Sequence, residues 1–203
     1  MKIQSVSKVE SSLLDAMVEL HLRSFQGFFL TSMGSPFLRL LYAGFIADAD
    51  GICLVAEEAG QLVGFAAGTT RPDNFFRRLF LRKGLLFACA SIPGLLRNPR
   101  LAIRKCIGAI AYRGERPGGL VGAALLSSLA VDSARGRRGI GRELVEAFVG
   151  EASARGMDSV YLTTDADDND SVNLFYGKCG FVRLDRFERP GNRTMNRLAR
   201  RMP

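Results

Sequence analysis

The sequence lacks the features of membrane-spanning, secreted and zinc-binding proteins. No uncharged stretch exceeds 15 residues, whereas a membrane-spanning helix needs about 20 apolar residues. The first residues, MKIQSVSKVESSLL, contain no apolar segment of the kind found in a signal peptide. The four cysteines, Cys53, Cys89, Cys106 and Cys179, are scattered without CxxC spacing, which predicts reduced thiols and no zinc site. We therefore expect a soluble, cytoplasmic protein without a bound metal.

Acidic residues are scarce in one part of the chain. The segment from Arg71 to Gly118 contains eleven Lys or Arg and only two Asp or Glu. Its net charge is +9, and because the whole chain carries +8, the remainder carries −1. The basic character therefore belongs to residues 71–118, which we call the basic segment.

The residues that are present predict one globular domain over residues 1–203. The chain is 47% hydrophobic and 24% charged, which is an ordinary globular composition. Apolar spacing and capping signals predict helices at 11–25, from Ser35-Pro36 onward, from the loop after 131 to near Gly156, and from Asn169 or Asp170 to Lys178. Strands are predicted at Ile52–Glu57, Leu62–Thr69, 122–131, Ser159–Thr164, Phe181–Arg186 and Thr194–Leu198, with a tight turn at Ala59-Gly60. Because helices alternate with strands, we expect an α/β fold.

The loop after the strand at Leu125–Val131 has the character of an anion-binding site. It runs from Arg135 to Gly141 and leads directly into a helix, whose start presents unpaired N–H groups and the positive end of the helix dipole. Gly139 and Gly141 allow a phosphate to approach the backbone closely. Four arginines add positive charge: Arg135, Arg137, Arg138 and Arg142. The loop lacks the P-loop pattern, and Leu144 stands where a dinucleotide-binding loop would need its third glycine. The alternative is a plain turn with solvated arginines.

A second motif lies about thirty residues further along the chain and reads Asn169-Asp-Ser-Val-Asn-Leu-Phe-Tyr176-Gly-Lys-Cys-Gly180-Phe181. Together the two motifs resemble the GNAT superfamily, whose loop reads [QR]xxGx[GA] and whose later motif reads roughly NxxAxxxYxKxGF. The resemblance is specific over residues 122–182. Gly136 departs from the first loop position, where Arg135 and Arg137 are expected to substitute, and Val172 replaces a usual alanine.

The resemblance implies an acyl-CoA N-acyltransferase fold, a mixed central sheet flanked by helices, with the basic segment as a helical insertion. It also implies acetyl-CoA as co-substrate, with its pyrophosphate on the loop and its pantetheine arm between two splayed strands. The cofactor-binding residues are then Leu129, Val131, Arg137, Arg138, Gly139, Ile140, Gly141, Arg142 and Asn169. Tyr176 matches the tyrosine near the cofactor sulfur and becomes the catalytic candidate, as general acid or as hydrogen-bond donor to the leaving thiolate. The alternatives are that Tyr176 is a core aromatic and that Asn169 only caps a helix.

The general base is left open by the sequence. Some GNAT enzymes place a carboxylate on the strand before the loop, where this chain has Ser127 and Ser128. Other candidates are Glu57, Glu58, Asp165 and His21, the only histidine. Solvated carboxylates and a core histidine are the competing interpretations.

The basic segment is predicted to contain two helices. The first follows Asp73, with Phe75, Phe76, Leu79 and Phe80 opposite Arg77, Arg78 and Arg82. The second begins at Asn98-Pro99, with Ile103, Ile107 and Ile110 on one side. Three roles remain open: a packed lid with a solvated basic face, a site for an anionic acceptor, and peripheral contact with an anionic membrane. Nucleic-acid binding is not expected.

We therefore predict an N-acetyltransferase that transfers acetyl from acetyl-CoA to a primary amine on a small molecule, for which an amino-sugar precursor is one candidate. The alternatives are a protein or peptide amine as acceptor, and a non-catalytic CoA-binding sensor or membrane-docking adaptor. A homodimer also remains open.

Overall fold

The computed structural model describes residues 1–26, 28–97, 120–135, 138–189 and 193–202. Its strands are β1 (Lys2–Ser5), β2 (Gly51–Glu58), β3 (Gln61–Thr69), β4 (Ala123–Val131), β5 (Ser159–Asp165), β6 (Val182–Arg189) and β7 (Arg193–Arg201). They form one sheet in the order β1-β2-β3-β4-β5-β7-β6. Neighbouring strands are antiparallel, except that β4 and β5 run parallel. The expected mixed sheet is confirmed.

The helices are α1 (Ser11–Ser24), α2 (Phe29–Ser32), α3 (Ser35–Ala47), α4 (Pro72–Arg97), α5 (Ile140–Ala154) and α6 (Asp170–Lys178). They divide the core into two layers, one on each face of the sheet. Tyr42 and Phe65 belong to the layer formed with α1, α3 and α4, and Phe148 belongs to the layer formed with α5 and α6. Because side chains alternate along a strand, β4 contributes Leu125 to the first layer and Leu126 to the second.

Strands β4 and β5 separate part-way along their length. They form three pairs, the last between Leu125 and Tyr161. Beyond that pair, residues 126–131 stay with β3 and residues 162–165 stay with β7. The β3–β4 register skips Ser127, and such a bulge bends the strand that carries it. We call the resulting opening between the two strand ends the strand gap.

Helix α4 occupies the first part of the basic segment and is fixed to the domain near its start. The Arg78 guanidinium donates to Asp48 Oδ1 at 2.8 Å and to Asp50 Oδ2 at 2.6 Å, and Phe75 is fully buried. Of the three arginines predicted for the basic face of this helix, Arg78 is thus paired with two carboxylates and remains partly exposed. The helix bends at Lys83, whose backbone angles (φ −128°, ψ 16°) are not helical.

Several elements differ from the sequence-based expectation. The four-residue strand β1 and the short helix α2 were not predicted. The last two strands are longer than expected, extending to Arg189 and Arg201. The second predicted helix of the basic segment, from Asn98-Pro99, lies outside the described residues. Within the described ranges, no helix is long and apolar enough to cross a membrane.

Candidate functional site: a helix start beside the strand gap

The first part of the candidate site is the start of α5, which follows the end of β4. Gly139 is the N-cap and has φ 80°, a conformation that glycine adopts without the steric penalty of a side chain. The Gly139 carbonyl accepts the first helical hydrogen bond from Glu143 N at 3.0 Å. The amides of Ile140, Gly141 and Arg142 lie in the first turn, where an α-helix offers no carbonyl partner. They therefore form a set of donors suited to an anion.

Positive side chains flank this helix start. Arg138 is exposed, and its Nη1 atom lies 3.7 Å from Glu58 Oε2 in the β2–β3 hairpin. Arg142 is also exposed. Arg137 lies outside the described residues, so its role stays a prediction. In water, an exposed pair such as Arg138–Glu58 contributes little stability, so Arg138 is able to reorient toward a bound anion.

The two sequence motifs meet at Gly141. A methyl group at this position would lie 3.3 Å from the Phe175 ring and 3.6 Å from Val131. Glycine therefore lets α5 approach both the end of β4 and the helix that carries the second motif. Leu129 and Val131 are half-buried and pack against the core layer of α5, which leaves their main chain at the edge of the strand gap.

Tyr176 lies on α6 close to this junction. It is 8% exposed, and its ring makes edge-to-face contacts with Phe175 and Phe181 at centroid distances of 5.1 and 5.7 Å. Burial raises the pKa of the phenol well above its usual value. Tyr176 is therefore a neutral phenol at physiological pH and can donate a hydrogen bond.

Asparagines fix α6 to the end of β5. Asn169 is the N-cap residue but makes no side-chain cap bond; its Nδ2 atom donates to the Asp165 carbonyl at 3.3 Å. Asn173 makes the more extensive set of contacts. Its Nδ2 atom donates to the carbonyls of Asp165 and Asn169, and its Oδ1 atom accepts from Thr164 Oγ1 at 2.6 Å and from Asn196 Nδ2 at 3.2 Å.

Sequence reasoning did not identify Asn173 as an organising residue. The available signal was its position, i+4 from Asn169, where two amides share one side of a helix. Its partners come from separate strands and were not predictable from spacing.

The acidic base candidates are engaged with other groups. Asp165 is held by Arg193, whose Nη2 atom donates to Asp165 Oδ2 at 2.6 Å. Glu57 Oε2 accepts from Gln4 Nε2 at 3.3 Å, and Glu58 lies near Arg138 as described above. Each of the three carboxylates therefore already has a positively charged or amide partner.

His21 has a different environment. It is 2% exposed, and its Nδ1 atom lies 2.6 Å from the hydroxyl of Tyr42. Its Nε2 atom is buried and has no hydrogen-bond partner among the described residues; an unpaired buried polar group costs about 1–3 kcal/mol. Burial lowers the pKa of the imidazole to about 4, so the ring is neutral at physiological pH. The interpretation of His21 as a satisfied core histidine therefore holds for one ring nitrogen only.

The arrangement fits a nucleotide thioester better than a metal. The helix start offers amides for a diphosphate, and the strand gap offers main-chain groups for an extended arm. Across the described part of the chain, no group of three or more His, Cys, Asp or Glu side chains could hold a metal ion.

The acetyltransferase (GNAT) family profile matches residues 14–181, which is most of the chain. The chain therefore belongs to the acetyltransferase (GNAT) family, and the resemblance seen in the two motifs is confirmed. Its class is that of the acetyl-CoA-dependent N-acetyltransferases, and acetyl-CoA is the co-substrate of that class.

Individual relatives are more distant. The "Probable N-acetyltransferase HLS1-like" of Arabidopsis thaliana is 41% identical over 59 residues, which are 29% of this chain and 14% of that protein. An aminoglycoside 6'-N-acetyltransferase solved with coenzyme A is similar in structure, with a TM-score of 0.61 and 15% identity over 100% of this chain and 98% of that one. The ribosomal-protein-S18-alanine N-acetyltransferase of Escherichia coli has a TM-score of 0.59 and 17% identity over 98% of this chain and 92% of that one. At such identities the two structures establish the fold only.

Proposed function

We propose that this protein transfers the acetyl group of acetyl-CoA to a primary amine on a small molecule. The observation that carries the proposal is the start of α5, where free amides follow Gly139 beside the strand gap. Residues 1–203 act as one domain in this proposal, with the basic segment inserted between β3 and β4.

The cofactor is proposed to bind along the line of these groups. The amides of Ile140, Gly141 and Arg142 receive the pyrophosphate, and the side chains of Arg137 and Arg138 add positive charge. The pantetheine arm then enters the strand gap, where the main chain of Leu129 and Val131 is within reach, and Asn169 contacts the cofactor near the end of β5. This route ends near α6, which places the thioester close to Tyr176.

The chemistry is a direct transfer within one ternary complex. The amine nitrogen attacks the thioester carbon, the C–N bond forms, the C–S bond breaks, and the electron pair leaves with sulfur. Holding both reactants together removes much of the entropic barrier. Since burial raises the pKa of Tyr176, full proton transfer from the phenol to a thiolate is less favourable than between free groups. We therefore assign Tyr176 as hydrogen-bond donor to the leaving sulfur, with the thiolate protonated afterwards by water.

The small-molecule acceptor is supported by the basic segment, which supplies charge for an anionic substrate such as an amino-sugar precursor. The named neighbours act on different acceptors, an aminoglycoside in one case and a ribosomal-protein alanine in the other. A peptide amine is therefore the alternative acceptor.

Two measurements test the proposed function. Saturating acetyl-CoA should raise the melting temperature, because a ligand that binds only the folded state stabilises it by mass action; an unchanged melting temperature would contradict the assigned cofactor site. Thiol release should then be measured across amino sugars, small polyamines and peptides with free N-termini. Turnover with amino sugars or polyamines supports the proposal, whereas turnover with peptides alone favours the alternative acceptor. Silence with every amine class contradicts the transferase proposal and favours a CoA sensor.

A second candidate role, contact with an anionic membrane, is favoured by the outer face of α4. Leu81 and Leu85 are 75% and 80% exposed and lie on either side of the bend at Lys83. The arginines Arg77 and Arg82, which precede the bend with Leu81, are also exposed. Apolar side chains flanked by cations suit the interface of an anionic bilayer. Wild-type protein should sediment with vesicles that contain phosphatidylserine. The double variant Leu81→Gln/Leu85→Gln should stay in solution. Equal sedimentation with neutral vesicles would contradict this role, and so would the absence of sedimentation with both kinds of vesicle. A change of oligomeric state in the double variant would identify a second copy of the chain as the partner of this surface.

A further inference from the structure

The starting observation is the contact between His21 and Tyr42, which links His21 to strand β4. The Tyr42 hydroxyl connects the His21 imidazole, near the end of α1, to Ser128 on β4. Ser128 lies in the part of β4 that has separated from β5. The Phe25 ring packs on the imidazole at a centroid distance of 4.6 Å and on Phe28 at 5.6 Å.

The contacts continue from this aromatic pair to the other side of the gap. The Arg193 guanidinium lies 5.0 Å from the centroid of the Phe28 ring and binds Asp165 at the end of β5. A continuous set of contacts therefore runs from β4 to β5 across the face of the sheet that carries α1. His21 lies in this set, on the opposite face from the cofactor helix α5.

The second observation is the unequal state of the two imidazole nitrogens. Nδ1 is engaged by the Tyr42 hydroxyl at 2.6 Å, whereas the buried Nε2 has no partner in the part of the chain that the structure describes. If Nδ1 carries the proton and donates it to the Tyr42 oxygen, Nε2 holds a free lone pair. A base oriented by a partner on its far nitrogen is the arrangement that general-base histidines use.

We propose that His21 is the proton acceptor for the amine substrate, with Nε2 receiving the proton directly or through one water and Tyr42 acting as a positioning residue that fixes the tautomer. The proposal rests on the proposed function. The amine nitrogen forms its bond to the acetyl carbon, sulfur leaves with its electron pair, and the proton on the nitrogen moves to Nε2. The imidazolium then returns the proton to solvent when the products leave.

The surroundings of His21 set the order of these events. Tyr42 interacts with Ser128 on β4 and with the Cys53 thiol on β2. The charged groups on α1 itself, Glu19 and Arg23, pair with each other at the exposed surface. Burial lowers the pKa of His21 to about 4, so a free ammonium with a pKa near 10 would give up its proton to His21 only in an equilibrium unfavourable by about a million-fold. The amine must therefore bind in its neutral form and lose a proton after the C–N bond begins to form, when its nitrogen has become acidic.

The first test uses the wild-type protein and the fact that the chain has a single histidine. Nitrogen NMR of histidine-labelled protein gives one pair of ring signals, which reports the tautomer without any assignment. We expect the Nδ1–H tautomer with an unprotonated Nε2, in the free protein and with coenzyme A bound, and a shift of Nε2 when the acceptor amine is added. The proposal would be overturned by an Nε2–H tautomer in the coenzyme A complex. It would also be overturned if the Nε2 chemical shift did not change when the acceptor amine is added.

The second test separates a chemical role from a packing role. His21→Ala should lower kcat by about 100-fold or more with little change in the KM for acetyl-CoA, and added imidazole should restore kcat in proportion to its concentration. Tyr42→Phe should lower kcat by about tenfold while keeping the aromatic packing. The proposal is overturned if His21→Gln keeps kcat within about threefold of wild type, or if His21→Ala binds acetyl-CoA normally and imidazole fails to rescue it. Because the cofactor-dependent melting shift is measured on the same variants, a failed cofactor site is distinguished from a wrong base.

Discussion

Acidification should destabilise this fold through the buried imidazole of His21. The side chain is 2% exposed, and burial lowers its pKa from 6.5 to about 4. Between pH 6.5 and about pH 4 the unfolded chain binds a proton on this residue while the folded protein does not. The unfolded state then binds more protons, so the free energy of unfolding decreases as the pH falls. This loss of free energy of unfolding begins near the pKa of His21 in the unfolded chain and is complete near its pKa in the folded protein.

The size of the effect follows from these two pKa values. Each pH unit between them costs about 1.4 kcal/mol, which gives a loss of about 2 kcal/mol between about pH 7.5 and pH 5 and about 3 kcal/mol at full extent. Since whole domains have free energies of unfolding of about 5–15 kcal/mol, one histidine accounts for a substantial part of the acid sensitivity.

Urea unfolding of the wild type and of His21→Gln across this pH range measures the contribution. Protonation of carboxylates in acid also lowers the free energy of unfolding. One such carboxylate is Glu146, whose pKa is lowered by its hydrogen bond with Arg200. Those contributions are common to both proteins and cancel in the difference. The wild type should therefore lose about 2 kcal/mol more than the variant by pH 5. Parallel stability curves would refute the assignment of a neutral, buried His21.

Three further substitutions test the site. Gly139→Val forces a branched side chain into a left-handed conformation, which costs about 1–2 kcal/mol. It should weaken acetyl-CoA binding by about tenfold in calorimetry. The matched control is Gly150→Ala, where an added methyl meets open space; this variant should bind acetyl-CoA normally. Asn173→Ala removes the contacts of its amide with β5 and β7 and should lower the free energy of unfolding by about 2 kcal/mol, together with kcat; wild-type stability would contradict the anchoring role. Tyr176→Phe should lower kcat by about 10- to 100-fold without changing the KM for acetyl-CoA, and an unchanged kcat would remove Tyr176 from the chemistry.

Local patterns were enough to predict the elements that carry the cofactor loop. The apolar stripe of α5 and the uncharged run of β4 each depend on residues close together in sequence, so periodicity identified them. Strand β1 has four residues at the edge of the sheet and only two half-buried side chains, which is too short for an alternation signal. The pairing of Arg78 with Asp48 and Asp50 depends on residues about thirty positions apart, and no pattern along the chain indicates it.

The same distinction applies to the site. The glycines and Tyr176 could be proposed as site residues because they occur at fixed spacing inside two motifs. The environment of His21 was not predictable, because Tyr42 is 21 residues away and Ser128 more than a hundred. The histidine and its apolar helix face can be seen in the sequence. Only the folded chain shows that one ring nitrogen contacts a phenol and that the other has no partner among the described residues.

The separation of β4 from β5 has a consequence for how this protein can be observed. Amide hydrogens that point into the opening have no strand partner there and should exchange with deuterium quickly in the empty protein. A ligand that lies between the strands would accept hydrogen bonds from some of those amides and slow their exchange, while amides bonded to β3 or β7 would keep their rates. Exchange along residues 126–131 and 162–165 can therefore trace the path of a bound arm residue by residue, in solution and without a label on the ligand.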